Sequence, residues 1–164
     1  RGLYWLTMSK PPVDLSPASL SPLLTYVATL DLSDPASATA SLGTHFPADG
    51  PFITGVAALM RAGVSDGSLC NRGGGSVRFS RVFRCDEDSF GFSADAVLMN
   101  GPGPLHRHPL GEIDLCFTES GEPSFDGKPA GWVVYPPGST HVPTVSDGSM
   151  LILYLLPQGS IDFL

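Results

Sequence analysis

The sequence predicts an α+β protein that is mainly β: a small helical lobe at the N-terminal end, then a barrel or sandwich of short antiparallel strands. Three observations carry this expectation. Apolar residues fall at helical spacing only between residues 16 and 63. Beyond residue 65 the chain breaks into short β-branched and aromatic runs separated by Gly, Pro and Asp turns. With 19 Gly, 16 Pro and only 15% charged residues in 164, the composition excludes a coiled coil or long-helix protein. A net charge of −7 without a basic cluster argues against nucleic acid or an anionic membrane as partner. A hydrophobic content of 42% excludes disorder, and no apolar run approaches the ~20 residues of a spanning helix.

Residues 1–15 read as an N-terminal extension. Within it, Met8-Ser9-Lys10 resembles a natural start, and residues 1–7 read as an added segment. Their apolar stretch is interrupted by Lys10-Pro11-Pro12 too soon for a signal sequence. The helical lobe is expected over residues 16–66. Its first helix has Ser16 as N-cap and Pro17 at the first helical position, with Leu20, Leu23, Leu24, Val27 and Leu30 on one face. Asp34-Pro35 repeats the start signal, and Gly43 is the expected stop. A third helix is expected from Pro51 to Ala62, ending at Gly63.

Residues 67–164 are expected to form the barrel. The glycine run between Asn71 and Ser76 reads as a hairpin turn, because a phosphate cradle needs a following helix and strand-like Val77–Phe83 follows instead. Further strands are expected at Phe90–Met99, Ile113–Phe117, Trp132–Tyr135 and Met150–Leu156. The three cysteines, Cys70, Cys85 and Cys116, are odd in number and form no CxxC pair, which favours a reducing, cytoplasmic setting. Cys116, in an apolar run, reads as a small buried hydrophobe.

Chemistry concentrates in one stretch. Of the four histidines, three are His106, His108 and His141. His106 and His108, two apart, share one face if they lie on a strand. Pro109-Leu110-Gly111 permits a turn, so Glu112 can return to the same point. His141 follows a second turn, Tyr135 to Thr140, and a later antiparallel strand can bring it alongside. Three neutral imidazoles and a carboxylate suit a divalent transition metal: Fe, Mn, Ni, Co or Zn. Four protein ligands leave two positions of an octahedral ion for water or substrate, the arrangement of a catalytic site. The competing reading is scattered surface or core histidines. His45, beside Phe46-Pro47, reads as a helix-end residue.

The run His106 to Glu112 resembles the first cupin motif, and Gly131 to His141, through Pro136-Pro137-Gly138, resembles the second. Gly101 stands one residue nearer His106 than is usual, and Val145 occupies a position where cupins often carry Asn. The resemblance implies a cupin-type double-stranded β-helix barrel with His106, His108, Glu112 and His141 as metal ligands. Gly111–Phe117, Gly131–Gly138, His141–Val145, Val77–Val82 and the N-terminal helices are similar to those of the 4-hydroxylaminobenzoate lyases. That likeness implies conversion of 4-hydroxylaminobenzoate to protocatechuate and ammonia, in nitroaromatic degradation.

The implied reaction adds water and loses ammonia with no net redox change. Glu112 and Asp114 are the candidate catalytic groups. Asp114 shares the strand face of Glu112, and a carboxyl turned into an apolar barrel has a raised pKa suited to moving protons. It could equally be a hydrogen-bond acceptor for a loop. An aryl carboxylate substrate calls for a cation; among Arg78, Arg81, Arg84 and Arg107, Arg78 is the candidate, while Arg107 should face outward. Trp132 and Tyr154 are candidates to stack on the ring, or else core residues. Two alternatives stay open: a cupin dioxygenase acting on a small aromatic or thiol substrate, and a non-catalytic small-molecule-binding cupin. By analogy with such barrels a homodimer is expected.

Overall fold

Prolines decide where the helices begin. In the computed structural model, which describes residues 10–164, helix α1 spans Ser21–Val27, α2 Pro35–His45 and α3 Pro51–Asp66. The readings of residues 1–7 and of Met8 as a start lie outside the described residues. The first helix starts later than Ser16-Pro17 suggests. A helix from Pro17 would carry Pro22 in its interior, where the missing N–H and ring clash cost about 3 kcal/mol or more. Starting at Ser21 puts Pro22 in the first turn, and Ser16–Leu20 form turns tied by the Asp14 carboxylate accepting from the Ser16 amide at 3.0 Å. In α2, Asp34 caps the Ser37 amide at 3.2 Å as expected. Gly43 does not stop the helix. It ends two residues on, before Phe46-Pro47, because a residue preceding Pro is pushed out of the α region. Likewise α3 passes through Gly63 and stops at Gly67, whose φ of +82° is the left-handed cap. Gly63 instead admits Leu69, whose side chain lies 2.6 Å from where a Cβ would stand.

Nine strands follow: β1 (Arg72–Gly74), β2 (Val77–Phe83), β3 (Phe92–Met99), β4 (His106–His108), β5 (Glu112–Phe125), β6 (Gly131–Tyr135), β7 (Ser139–His141), β8 (Val145–Pro157) and β9 (Asp162–Phe163). They form a six-stranded sheet in the order β1-β2-β3-β8-β5-β6 and a three-stranded sheet β7-β4-β9, with every pairing antiparallel. This is the expected α+β, mainly β, architecture of antiparallel strands preceded by helices. The glycine run forms the expected hairpin, with Gly73 and Gly74 closing β1 and Gly75-Ser76 making the turn into β2. Phe90 is not in β3, because Phe90 and Gly91 both take positive φ in the turn that precedes it. Strand β5 outruns Ile113–Phe117 through Thr118–Glu122, an exposed polar stretch with no hydrophobic alternation to mark it.

The central strands of the large sheet are buried on both faces, and strand alternation assigns each residue to one of them. The cross-strand rows Ala94–Leu155–Ile113–Val134 and Ala96–Leu153–Leu115–Trp132 face the helices. They join Leu23, Leu42, Ile53, Val56 and Met60 in one continuous core. The intervening rows, including Val97–Ile152–Cys116, face the barrel interior, where Cys116 is a buried free thiol. The small sheet closes that side, since His108 on β4 touches Glu112 on β5. Among the described residues no helix is long and apolar enough to cross a membrane.

Candidate metal centre and its cavity

Three short elements bring the four candidate ligands together. Alternation along β4 turns His106 and His108 inward, where both are buried, and leaves Arg107 exposed. The chain then reverses at Pro109-Leu110. Gly111 makes this possible with a φ of +92°, and a Cβ there would stand 2.9 Å from the Tyr135 carbonyl oxygen. Glu112 therefore enters β5 pointing back at the histidines. Strand β7 pairs with β4 so that His141 lies directly opposite His106. His141 ends its strand rather than starting one, as the turn before it had suggested.

Each imidazole is held through its Nδ1. That of His106 lies 3.0 Å from the Pro104 carbonyl, that of His108 3.0 Å from the Ser139 hydroxyl, and that of His141 2.6 Å from an Asp126 oxygen. Nδ1 of His106 and His141 donates to acceptor-only oxygens, which leaves the lone pair on Nε2, and Nδ1 of His108 faces a hydroxyl that allows the same tautomer. The Nε2 atoms of His106 and His108 are 2.7 Å apart, and those of His106 and His141 3.1 Å. Glu112 Oε2 lies 3.0 Å from His108 Nε2 and 3.9 Å from His141 Nε2. All four donor atoms fall within 4.8 Å of one another.

This donor set fits a metal ion. Three lone pairs and a carboxylate oxygen converge on one point. Glu112 is fully buried, and neither of its oxygens accepts a hydrogen bond. Burying such a group unpaired is costly, and a cation bound by all four offsets the cost. Burial also lowers the His106 pKa, favouring the neutral ligand form. Nitrogen with one carboxylate suits a first-row divalent ion and does not select among Fe, Mn, Ni, Co and Zn.

Two residues that sequence reasoning missed support the centre. The Asp126 carboxylate accepts from His141, from the Tyr135 hydroxyl and, at 2.8 Å, from the Thr144 amide. Burial alone would raise the Asp126 pKa, but these hydrogen bonds outweigh it and hold the carboxyl below its ordinary range. Tyr135 is pushed well above its ordinary value by burial and then by Asp126, so it stays a donor. The Asp126-Gly127 pair reads as turn chemistry in the sequence, which masks this role. A carboxylate–histidine pair of this kind orients the ligand and raises its basicity. Asp126→Asn is expected to weaken metal binding roughly 10- to 100-fold in a chelator competition, with the fold intact.

A cavity of about 420 Å³ opens onto the centre, with His106 and Glu112 in its wall. Its remaining lining is largely apolar, including Phe79, Val97, Tyr154 and Phe163. Phe163, on β9, packs edge-on to His106 with ring centroids 5.9 Å apart. The volume falls within the range of small-molecule sites.

The other sequence candidates are placed as follows. Tyr154 is in the cavity wall, its hydroxyl 3.5 Å from the Met99 sulfur. Asp114 shares the inward face with Glu112 but is not in the cavity wall; it is fully buried, with neither oxygen accepting a hydrogen bond. Burial, then the neighbouring Glu112 carboxylate, holds its pKa well above the ordinary range. Trp132 is turned the other way, toward the helices, where its indole N–H donates to the Phe46 carbonyl at 2.8 Å. Arg78 likewise lies off the cavity, its Nε donating to the Cys70 carbonyl at 3.1 Å. Alternation along β2 places Arg81, not Arg78, in the wall with Val77 and Phe79. The same alternation is visible in the sequence; which of the two faces turns inward is not.

The family model PnbB, 4-hydroxylaminobenzoate lyase, matches residues 22–163. A 4-hydroxylaminobenzoate lyase of Nocardioides sp. (strain LMS-CY) is 32% identical over 123 residues, 68% of this chain and 72% of that protein. One from Pseudomonas putida is 28% identical over 142 residues, 74% of this chain and 80% of that protein. Among solved structures, the DMSP lyase DddQ from Ruegeria pomeroyi DSS-3 matches with a TM-score of 0.46 and 21% identity, over 65% of this chain and 67% of that one. A cupin-like protein from Thermotoga maritima matches with a TM-score of 0.39 and 20% identity, over 56% of this chain and 77% of that one.

Proposed function

Because this chain belongs to the 4-hydroxylaminobenzoate lyase family, we propose that it converts 4-hydroxylaminobenzoate and water to protocatechuate and ammonia, using a divalent transition metal held by His106, His108, Glu112 and His141. The observation that carries this reading is the convergence of those four side chains, two of which, His106 and Glu112, form part of the wall of a largely apolar cavity. The atoms balance with one water consumed and no electron acceptor or donor required.

His106, His108, Glu112 and His141 would hold a metal whose Lewis acidity would act on the N–OH oxygen and on water. The protein's own groups do the rest. Asp126 holds His141 in one tautomer through Nδ1. Tyr154, Val97 and Phe163 offer an apolar wall to the aromatic ring and exclude water from it. Asp114 follows Glu112 by two residues on the same strand face, a position from which its carboxyl can hold a proton near the centre. Asp114→Asn is expected to lower kcat roughly 10²- to 10⁴-fold while metal content and KM persist. An unchanged kcat would remove Asp114 from the reaction.

The test of the overall reading is anaerobic incubation of the metal-loaded protein with 4-hydroxylaminobenzoate. Ammonia and protocatechuate should appear in equal amounts. Absence of ammonia at every metal loading would overturn the proposal. Product formation only with oxygen consumption would point to the dioxygenase alternative instead.

A further inference from the structure

We propose that Arg81 binds the carboxylate of the substrate and so sets which end of the ring meets the metal centre; this rests on the lyase reading above. Among the described residues lining the cavity, Arg81 is the only lysine or arginine. Its Nε donates to Asp95 Oδ1 at 2.5 Å, which pins the guanidinium plane. The two terminal Nη groups have no protein hydrogen-bond partner among the described residues, leaving four N–H donors on a planar fork that matches a carboxylate. Strand β2 shifts register between Arg81 and Phe83, and a bulge at such a point re-aims a side chain.

The position also fits the shape of the substrate. Arg81, Asp95, Tyr154 and Asp114 are successive cross-strand partners on β2, β3, β8 and β5. Arg81 therefore stands three strand spacings, roughly 14 Å between backbones, from the strand that carries Glu112. A para-substituted benzoate has its two functional groups at opposite ends of a flat ring. Anchoring the carboxylate at β2 directs the hydroxylamino end across Val97 and Tyr154 toward Glu112 and His106. Arg78, with its Nε on the Cys70 carbonyl and its side chain off the cavity, has no access to this space.

The experiment compares binding of 4-aminobenzoate and aniline to the metal-loaded protein by calorimetry, in wild type and Arg81→Gln. Arg81 is half exposed, so the substitution leaves the core untouched. Wild type should bind 4-aminobenzoate roughly 10- to 100-fold more tightly than aniline, and Arg81→Gln should erase that preference by weakening 4-aminobenzoate alone. With 4-hydroxylaminobenzoate as substrate, Arg81→Gln should raise KM by a similar factor, with far less effect on phenylhydroxylamine. A preference retained in Arg81→Gln would overturn the proposal and send the carboxylate to the metal. Equal losses for both ligands, or no preference in wild type, would also overturn it. Because the binding arm needs no turnover, a protein that releases no ammonia but keeps Arg81-dependent binding rejects the lyase reading alone. Turnover with Arg81-independent binding rejects the clamp alone.

Discussion

His108→Ala is expected to abolish stoichiometric metal binding and to lower kcat/KM by roughly 10³-fold or more, as follows from losing several kcal/mol of Lewis-acid stabilisation. His108 is fully buried, with its Nε2 within 3.0 Å of both His106 Nε2 and Glu112 Oε2. Removing it deletes one of four donors and opens a gap beside the other three. The barrel should survive, because both faces of the large sheet are packed by clusters that exclude His108. Elemental analysis with circular dichroism on the same sample reads both outcomes. His45→Ala is the matched control: its imidazole sits in the helical lobe, 2.8 Å from the Tyr26 hydroxyl. Unchanged metal content in His108→Ala, or equal metal loss in His45→Ala, would show that the four-residue centre is misassigned.

The second large effect concerns stability. Trp132→Ala should destabilise the fold by about 3–5 kcal/mol, which for a domain of this size lowers Tm by roughly 6–20 °C. Its ring fills the junction between β6 and the helices, and its N–H satisfies the Phe46 carbonyl at the end of α2. Trp132→Phe separates the two contributions. It keeps most of the packing and loses the hydrogen bond, at about 1–3 kcal/mol for a buried carbonyl left unpaired. KM for the aromatic substrate should hardly move in Trp132→Phe, since the side chain faces away from the cavity. A large rise in KM at unchanged Tm would instead return Trp132 to the binding site.

Much of the centre is legible in the residues themselves. His106 and His108 at strand spacing, Glu112 after a Pro-Leu-Gly reversal and His141 behind a second turn state their chemistry without coordinates, because alternation and turn propensity are local properties. The helix starts at Pro35 and Pro51 are legible for the same reason. Where two local signals compete, the stronger steric term decides: Pro22 overrides the cap at Ser16, and Phe46-Pro47 overrides Gly43.

The donor set and its spacing are local features that the residues state unaided. Which side of each strand looks into the cavity follows from long-range packing. The central strands of the large sheet are buried on both faces, by helices on one and by the barrel interior on the other, so hydrophobicity does not distinguish them. Alternation pairs Arg81 with Phe79 and separates Trp132 from Tyr135, but a shift of one residue in the inward choice exchanges every member of the two sets. That choice rests on the docking of α1, α2 and α3 against one side, a contact between residues far apart in the chain. The same long-range packing brings Asp126 onto His141 and Arg81 to the cavity wall, and neither juxtaposition leaves a mark on its neighbours in sequence.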